Sequence, residues 1–560
     1  MAAPLVARHI QDFSNASRLE PHWGYAERVL PCTNDKGSCE YLDLVYSAHD
    51  VGMIYTGAMW LVIIGVLGAW AVGRRVFPSA ATSSAAVNSN PAPDGEIQSA
   101  GARGASGGIV RARNAVASAA RRSLLPESAR AIFGHTTRLQ VTILALIVAY
   151  LTVFSFVGME YRIWITPVKS VPGLTQTRST LGPWSDRIGV LAYALTPLSV
   201  LLASRESLLS VLTGVPYQSF VFLHRWLGYV IFAQSVLHTI GWCIIEIRLY
   251  QPQPDVGAAW IVQTYMIWGL VAMALLLVLF LLSTKWAIRA FGYEFFRKAH
   301  YVLAMVYIGA CFAHWQALQC FLVPALVIWF VDRAARLVRT ALLHYNYLPD
   351  GSVGFASAKA TVQRFEDAEG GDVVRLDFVH PQRPWAVGQH FFLCFPELSI
   401  WQSHPMTPLS APSTSGPTPG GGRTNPAVGS VHSYVIRAKA GETRKLAQLA
   451  AKKLAAGGTD EKGQPLDPKV SVILTGGYGQ AVTGDGIAPE TNILCVAGGT
   501  GVTFVLPVLL ELVRSRPVPG RKVELLWAIR HERDMEWVRP ELDGAAGGGS
   551  DGTACTSTCF

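Results

Sequence analysis

The stretch "FLHRWLGYVIFAQSVLHTI", residues 222–240, is almost wholly apolar yet carries two histidines, His224 and His238. A helix turns by about 100° and rises about 1.5 Å per residue, so fourteen residues bring both imidazoles close to one face, about 21 Å apart along the axis. A later run, "HYVLAMVYIGACFAH" at 300–314, repeats the same spacing with His300 and His314. One apolar stretch lies between the two runs, so their helices run parallel. His224 is then expected opposite His300, and His238 opposite His314.

A single histidine on an apolar helix is most often a hydrogen-bonded core residue. Four in register ask for more, because ionisable groups inside membrane helices are costly and cofactor sites in bundles are built from side chains on facing helices. Paired imidazoles suit haem iron with both axial positions filled. Zinc would recruit cysteines or carboxylates into a tetrahedral cluster, and a proton relay would use closer spacing. The pattern therefore predicts two bis-histidine haems stacked across a bilayer.

The whole chain agrees with a membrane portion. Of its 560 residues 50% are hydrophobic, and the mean hydropathy is +0.29, high for a purely soluble protein. Apolar stretches near 51–73, 139–158, 187–204, 219–243, 262–282, 299–318 and 319–336 are each long enough to span about 30 Å of hydrocarbon, predicting about seven transmembrane helices. Residues 1–50 lack the apolar core of a signal peptide, so the run from Val51 reads as a signal anchor. The loop after it holds Arg74, Arg75, Arg103, Arg111, Arg113, Arg121, Arg122, Arg130 and Arg138 against Asp94, Glu96 and Glu127. By the positive-inside rule that loop is cytosolic, as is everything after Arg336, and residues 1–50 lie outside. The net charge of +9 sits in such loops, which argues against a nucleic-acid partner. Nine cysteines without a CxxC exclude a disulfide scaffold and an iron–sulfur centre. Cys32 and Cys39 can pair if the N-terminus is extracellular, Asn15 in "NAS" is a glycosylation acceptor there, and residues 78–108 read as a disordered loop.

From about Ser352 the pattern becomes short β-like runs, "VVRLDFV" and "HFFLCF", between glycines and prolines, predicting a small β-barrel. A Pro/Gly/Ser/Thr-rich segment at 411–430 reads as a flexible insertion. "VSVILTGGYG", "NILCVAGGTGVTFVLPVLLELV" and "KVELLWAIR" then read as the start of a parallel α/β nucleotide domain. The domain layout expected is an extracellular segment 1–50, a first span with its basic loop 51–137, a haem-carrying membrane domain 138–340, a barrel 352–470 and a partial α/β domain 471–560.

Several motifs carry a family resemblance: "HRWLG", "LHTIGW", "YEFFRKAHYVLA", "WQSHPMT", "YVIRAKAGETRKL", "GGTGVT" and "LLWAIR", in this order over about residues 185–538. In them the chain resembles the fungal ferric reductases of the flavocytochrome superfamily, which also contains the NADPH oxidases. The resemblance implies FAD on the barrel at His404, Pro405, Met406 and Thr407, where the family more often has Phe at the position of Met406. Arg437, Gly441 and Thr443 would serve the FAD pyrophosphate. It implies NADPH at "TGGYG", Thr475, Gly476, Gly477 and Gly479, and at the "GGTGVT" turn, Gly498, Gly499, Thr500, Gly501 and Thr503, whose glycines let a phosphate approach backbone amides.

After "AIRHERDMEWV" the family continues to a Cys-Gly-Pro motif that this chain does not contain, and Cys555 and Cys559 have neither its neighbours nor its position. The nucleotide domain is thus expected to be shortened. The function implied is electron transfer from cytosolic NADPH through FAD and two b-type haems to extracellular ferric, or cupric, chelates or siderophores. That fits a multi-pass plasma-membrane protein serving iron uptake beside an iron permease and multicopper oxidase. Two alternatives stay open: a superoxide-generating NADPH oxidase with the same wiring, and a haem membrane protein that cannot load its own electrons.

Overall fold

The computed structural model describes residues 11, 17–76, 106–347, 353–381, 385–411, 430–459, 465–466, 468–483, 487, 491–514, 520–547 and 555–559. The chain divides into two compact units, one of residues 1–73 with 93–332, the other of 74–92 with 333–560. Asn15, most of 78–108 and most of the 411–430 insertion lie outside the described residues.

The first unit is a helical bundle. Its long helices are Lys36–Val76, Ser106–Leu124, Arg138–Phe156, Leu181–Ala203, Val221–Ile244, Thr264–Leu282 and Tyr293–His314, and Gln319–His344 carries the division between the units at Asp332. Each of the seven long apolar stretches of the sequence thus lies in helix. Five of them are long and apolar enough to cross a membrane by length and composition, that of Val221–Ile244 within the span Tyr217–Leu249. The expected count of seven is reduced because Tyr293–His314 starts with Glu294, Arg297 and Lys298, and Gln319–His344 carries Asp332, Arg333, Arg336 and Arg339. Leu181–Ala203 is buried along most of its length, with Leu191, Ala194 and Leu195 inaccessible. By contrast Leu61, Val62, Ile64, Val66 and Val72 of the first helix are exposed, as an apolar face turned to lipid would be.

Two local readings change. The first helix begins at Lys36, well before Val51: Tyr41, Leu42, Val45, Tyr46, Ala48, His49 and Gly52 are buried at helical spacing, an amphipathic period hidden from a hydropathy window by Asp43, His49 and Asp50. The basic loop contains a helix, Ser106–Leu124, with Arg111, Arg113, Arg121 and Arg122 on it. Ahead of the first helix stands a hairpin, Arg18–Glu20 against Arg28–Leu30, and Cys32 is bonded to Cys39 at the helix start, as the sequence suggested.

The second unit holds a six-stranded antiparallel sheet in the order His404–Met406, His390–Cys394, Lys469–Tyr478, Ala358–Phe365, Val373–His380, Ser430–Arg437. The segment after the first strand in that order closes it on the last: Leu409 N–H donates to Ser433 O at 2.7 Å and Ser433 N–H to Ser410 Oγ at 3.2 Å. Inside lie Val374, Leu376, Phe391, Leu393, Tyr434, Val472 and Leu474. The helix Gln319–His344 ends in this barrel, where buried His344 accepts from Leu474 N–H at 2.8 Å through Nε2 and donates through Nδ1 to Ala356 O at 3.0 Å. A second, parallel sheet runs Ile493–Gly498, Val523–Ala528, Cys555–Cys559, with Val502–Arg514 packed on it.

The barrel corrects the domain boundary at 471. Lys469–Tyr478 pairs antiparallel with both Ala358–Phe365 and His390–Cys394, so "VSVILTGGY" is a barrel strand and does not open the nucleotide domain. It is buried on both faces, and a continuous apolar run of that kind reads equally well as a parallel-sheet strand. The last strand, Cys555–Cys559, has no apolar run at all, so nothing in its sequence marks it as a strand.

Candidate functional site

The bundle brings the four histidines together in two pairs. Ring centroids of His224 and His300 lie 6.1 Å apart at 78°, and those of His238 and His314 lie 6.3 Å apart at 82°. Nδ1 of His224 donates to Ser199 O at 2.9 Å, that of His238 to Ser185 O at 2.7 Å, and that of His314 to Tyr265 O at 2.7 Å. A carbonyl only accepts, so these three rings carry their proton on Nδ1 and keep the Nε2 lone pair for the gap between them. His300 Nδ1 stands 3.3 Å from Ser283 Oγ. Two nitrogen–metal bonds of about 2.0 Å, plus about 1.2 Å from each nitrogen to its ring centre, give a centroid separation of about 6.4 Å. Both pairs are at the spacing at which one metal ion fits between two imidazoles.

The surroundings leave room for something flat. Leu181–Ala203 packs closely on Val221–Ile244, and Thr264–Leu282 on Tyr293–His314, whereas the two histidine helices do not pack closely on each other. Glycines let the partner helices come up behind the rings: a Cβ at Gly189 would meet His238 Nδ1 at 2.8 Å, and one at Gly269 would meet His314 Nδ1 at 2.7 Å. Between the pairs, Phe232 and Phe280 stack at 4.4 Å and 7°. A cleft surrounds His238 and His314, walled by Tyr193, Trp242, Tyr265 and Tyr307 among others. Among the described residues no group of three or more His, Cys, Asp or Glu could hold a metal by itself. Any metal here would take its remaining ligands from a bound group.

In the second unit the "GGTGVT" turn sits at the carboxyl end of the first parallel strand, beside Ala528 of the next, Gly498 being in register with it. Carboxyl ends of parallel strands are where α/β sheets bind ligands. Gly499 has a positive φ of 52°, which suits glycine. Thr503 Oγ1 donates to Thr500 O, and Trp527 Nε1 donates to Gly499 O at 2.9 Å. Gly498, Gly499 and Thr500 share one cleft with Arg437, Lys439 and Arg530, and with Glu369 and Asp534. Arg437 is fixed there by Asp367, at 2.7 Å, and by Gly371 O. The Asp367 carboxyl is held down to about 2 by the Gly370 amide and by Arg437. Three cations facing a glycine turn make a cleft suited to phosphate. Lys439, Arg530 and Asp367 were not singled out from sequence. Two quoted motifs contain one each: "YVIRAKAGETRKL" holds Lys439 and "LLWAIR" ends at Arg530.

The other expected residues fall elsewhere in the same unit. His404, Pro405 and Met406 form the short strand paired with His390–Cys394, His404 lying 3.8 Å from the buried Glu442. Glu442 follows Gly441 at the start of the helix Gly441–Ala456, where Thr443 Oγ1 donates to Ala440 O. The closed barrel thus brings His404 to that helix start, whereas Thr407 has only its position after the strand. Thr475 and Gly476 belong to the barrel strand: Thr475 is bonded to Thr340 at 2.8 Å, and Gly476 O accepts from Arg339 at 2.8 Å. Neither they nor Gly477 and Gly479 line the Gly498 cleft.

Comparison with known proteins gives these parts their names. Residues 188–311 match the ferric reductase like transmembrane component, residues 355–482 an FAD-binding domain, and residues 490–547 the ferric reductase NAD binding domain. The FAD-binding match includes the strand Lys469–Tyr478, in line with the corrected boundary. The chain is 28% identical over 375 residues to the ferric/cupric reductase transmembrane component 2 of Saccharomyces cerevisiae, covering 64% of this chain and 44% of that protein. It is 27% identical over 371 residues to a probable cell surface ferric reductase of Aspergillus oryzae, covering 64% and 45%. A solved ferredoxin-NADP+ reductase from Plasmodium falciparum is similar at 13% identity over 38% of this chain and 76% of that one, with a TM-score of 0.25. The chain spans less than half the length of the curated relatives named here. It is a multi-pass membrane protein that carries, in this order, the ferric reductase like transmembrane, FAD-binding and NAD-binding domains, and it is similar to the fungal ferric reductases.

Proposed function

We propose that this chain moves single electrons across a membrane, from NADPH through FAD and two b-type haems to ferric or cupric chelates outside, as a ferric-chelate reductase for iron uptake. The observation that carries the reading is the pair of imidazole pairs: each at the separation at which one metal ion would fit between the two rings, three of the four rings with Nδ1 spent on a backbone carbonyl. The fit extends to the glycines behind His238 and His314 and to the space between the two histidine helices. When bound, FAD supplies the conversion of a hydride into single electrons, and haem supplies one-electron relay.

The protein's part is to bind and orient. His224 and His300 would hold the inner haem, His238 and His314 the outer. Arg437, Gly441 and Thr443 with His404, Pro405, Met406 and Thr407 hold FAD. Gly498, Gly499, Thr500, Gly501 and Thr503 hold NADPH, and Thr475, Gly476, Gly477 and Gly479 brace the barrel beside it. The N-terminus faces outward and the two nucleotide domains face the cytosol of a plasma membrane. The Cys32–Cys39 bond supports this, because disulfides persist in oxidising compartments, as does the arginine-rich segment after the first helix. Ferric chelates or siderophores are the acceptors, and an iron permease with a multicopper oxidase would take up the product.

The test is a reduced-minus-oxidised absorption spectrum of the full chain in detergent with NADPH, then with Fe(III) citrate. The reading expects two six-coordinate low-spin haems that NADPH reduces and the chelate reoxidises. A chain that binds no haem would overturn it, and haem reducible by dithionite but not by NADPH would remove the electron-loading step.

A further inference from the structure

Residues His22–Tyr25, "HWGY", form the loop of the N-terminal hairpin, and each is tied to a different partner at one end of the bundle. His22 Nδ1 donates to both carboxylate oxygens of Asp50 at 3.0 Å. Trp23 O accepts from His49 Nε2 at 3.0 Å, and Gly24 O accepts from Trp315 Nε1 at 3.0 Å. Tyr25 OH donates to Asp186 at 2.9 Å, whose other oxygen accepts from Trp242 Nε1 at 3.1 Å. Gly24 has φ +80°, and a Cβ there would meet Leu318 Cδ2 at 3.0 Å and Met53 at 3.2 Å, so the loop is seated against two helices with no room to spare. The strands Arg18–Glu20 and Arg28–Leu30 hold it from both sides, and the Cys32–Cys39 bond fixes the chain just beyond.

The place matters. Tyr25, His49, Asp186, Trp242 and Trp315 line the same cleft as His238 and His314. Trp315 follows His314 directly, and the Tyr25 ring lies 5.6 Å from it and 4.5 Å from His49. Trp23 is 75% exposed. Rings in contact therefore run from His314 through Tyr265 and Trp315 to Tyr25, in the loop that carries the exposed Trp23.

We propose that His22–Tyr25 is a strap over the cleft of the His238/His314 pair that decides which acceptors are reduced. It bars small molecules, dioxygen above all, from the cleft. It also makes Trp315 and Tyr25 the route by which an electron reaches a metal chelate too large to enter. One electron leaves the reduced outer site and Fe(III) in the chelate becomes Fe(II), with no proton or leaving group transferred. The inference rests on the haem reading given under Proposed function.

The experiment uses the full chain in detergent, reduced with dithionite and mixed with Fe(III) citrate or with dioxygen in a stopped-flow spectrometer. Tyr25→Leu, which keeps apolar cover but removes the ring, should slow reoxidation by Fe(III) citrate severalfold, and Tyr25→Phe should restore most of that rate. Gly24→Ala, which lifts the strap, should speed reoxidation by dioxygen severalfold. Amide hydrogen exchange of residues 22–25 gives a readout independent of electron transfer: slow in the parent chain, faster in Gly24→Ala. Wild-type reoxidation rates with both acceptors in Tyr25→Leu and Gly24→Ala, at an unchanged resting haem spectrum, would overturn the strap. A parent chain without a haem spectrum would instead sink the reading beneath it, while the exchange measurement would still report whether the strap is seated.

Discussion

Replacing Gly189 by alanine puts the haem reading under direct strain. The added methyl would lie 2.8 Å from Nδ1 and 3.0 Å from Cε1 of His238, closer than ordinary contact by about 0.6 Å. Leu181–Ala203 is packed on most sides and has little room to retreat, so the imidazole has to move. Its 2.7 Å bond to Ser185 O is then broken, leaving a buried donor and acceptor unpaired at a cost of about 1–3 kcal/mol. Its Nε2 also swings out of line with His314. Since about 1.4 kcal/mol is tenfold in an equilibrium constant, affinity at the outer pair should fall by roughly 10- to 100-fold. Gly65→Ala is the matched control: nothing lies within 4 Å of a Cβ there, and alanine in a helix gains up to about 1 kcal/mol over glycine. Haem per chain, measured on purified protein, should drop from two towards one in Gly189→Ala and stay at two in Gly65→Ala. Two haems and an unshifted spectrum in Gly189→Ala would refute the placement of the outer group between His238 and His314.

Three further outcomes follow from the structure. Arg375, nearly buried, pairs with Asp377 at 2.8 Å and Glu541 at 2.7 Å and donates to Trp537 O, so Arg375→Ala should cost about 3–5 kcal/mol by stranding two carboxylates, read as a lower urea midpoint for the second unit. Burial holds His380 down to about 4 and His432 down to about 3, each further lowered by a neighbouring histidine. Below pH 6.5 the unfolded chain takes up protons that the fold refuses, so barrel stability should fall as pH drops from 6.5 towards 3–4, by up to about 3–5 kcal/mol for each histidine. Hydrogen exchange at pH 7 and pH 4.5 checks this, and His380→Phe should flatten the dependence. Opening the Cys32–Cys39 loop by reduction should cost the folded N-terminal hairpin about 2.5 kcal/mol by loop entropy, seen as faster exchange in residues 17–30.

The histidine ladder was legible because period and spacing are properties of sequence: fourteen residues on two helices set the register that His224, His238, His300 and His314 then show. The glycine turn at Gly498 was legible for a similar reason, lying between an apolar strand and an apolar helix. What was not legible depended on long-range pairing. Lys469–Tyr478 looks like a parallel strand until its neighbours are known, and they are barrel strands more than a hundred and about eighty residues earlier in the chain. Arg437 was readable, but not Asp367, seventy residues away, which fixes it. The helix from Lys36 was missed because its buried face includes His49 and Ser38, side chains whose burial depends on the hairpin and helices packed over them.

The carbonyl partners of His224, His238 and His314 have a consequence for how this site tolerates change. Every residue type alike supplies a main-chain oxygen, so Ser199, Ser185 and Tyr265 can be exchanged for other side chains without removing the carbonyl that orients each ring. What cannot vary is the phase of the helices that present those oxygens. A one-residue insertion between Ser185 and Ser199 would turn one carbonyl away by about 100° while every histidine stayed in place. The address of the paired imidazoles is therefore written in helix length and in two glycines, Gly189 and Gly269, more than in the chemistry of their neighbours.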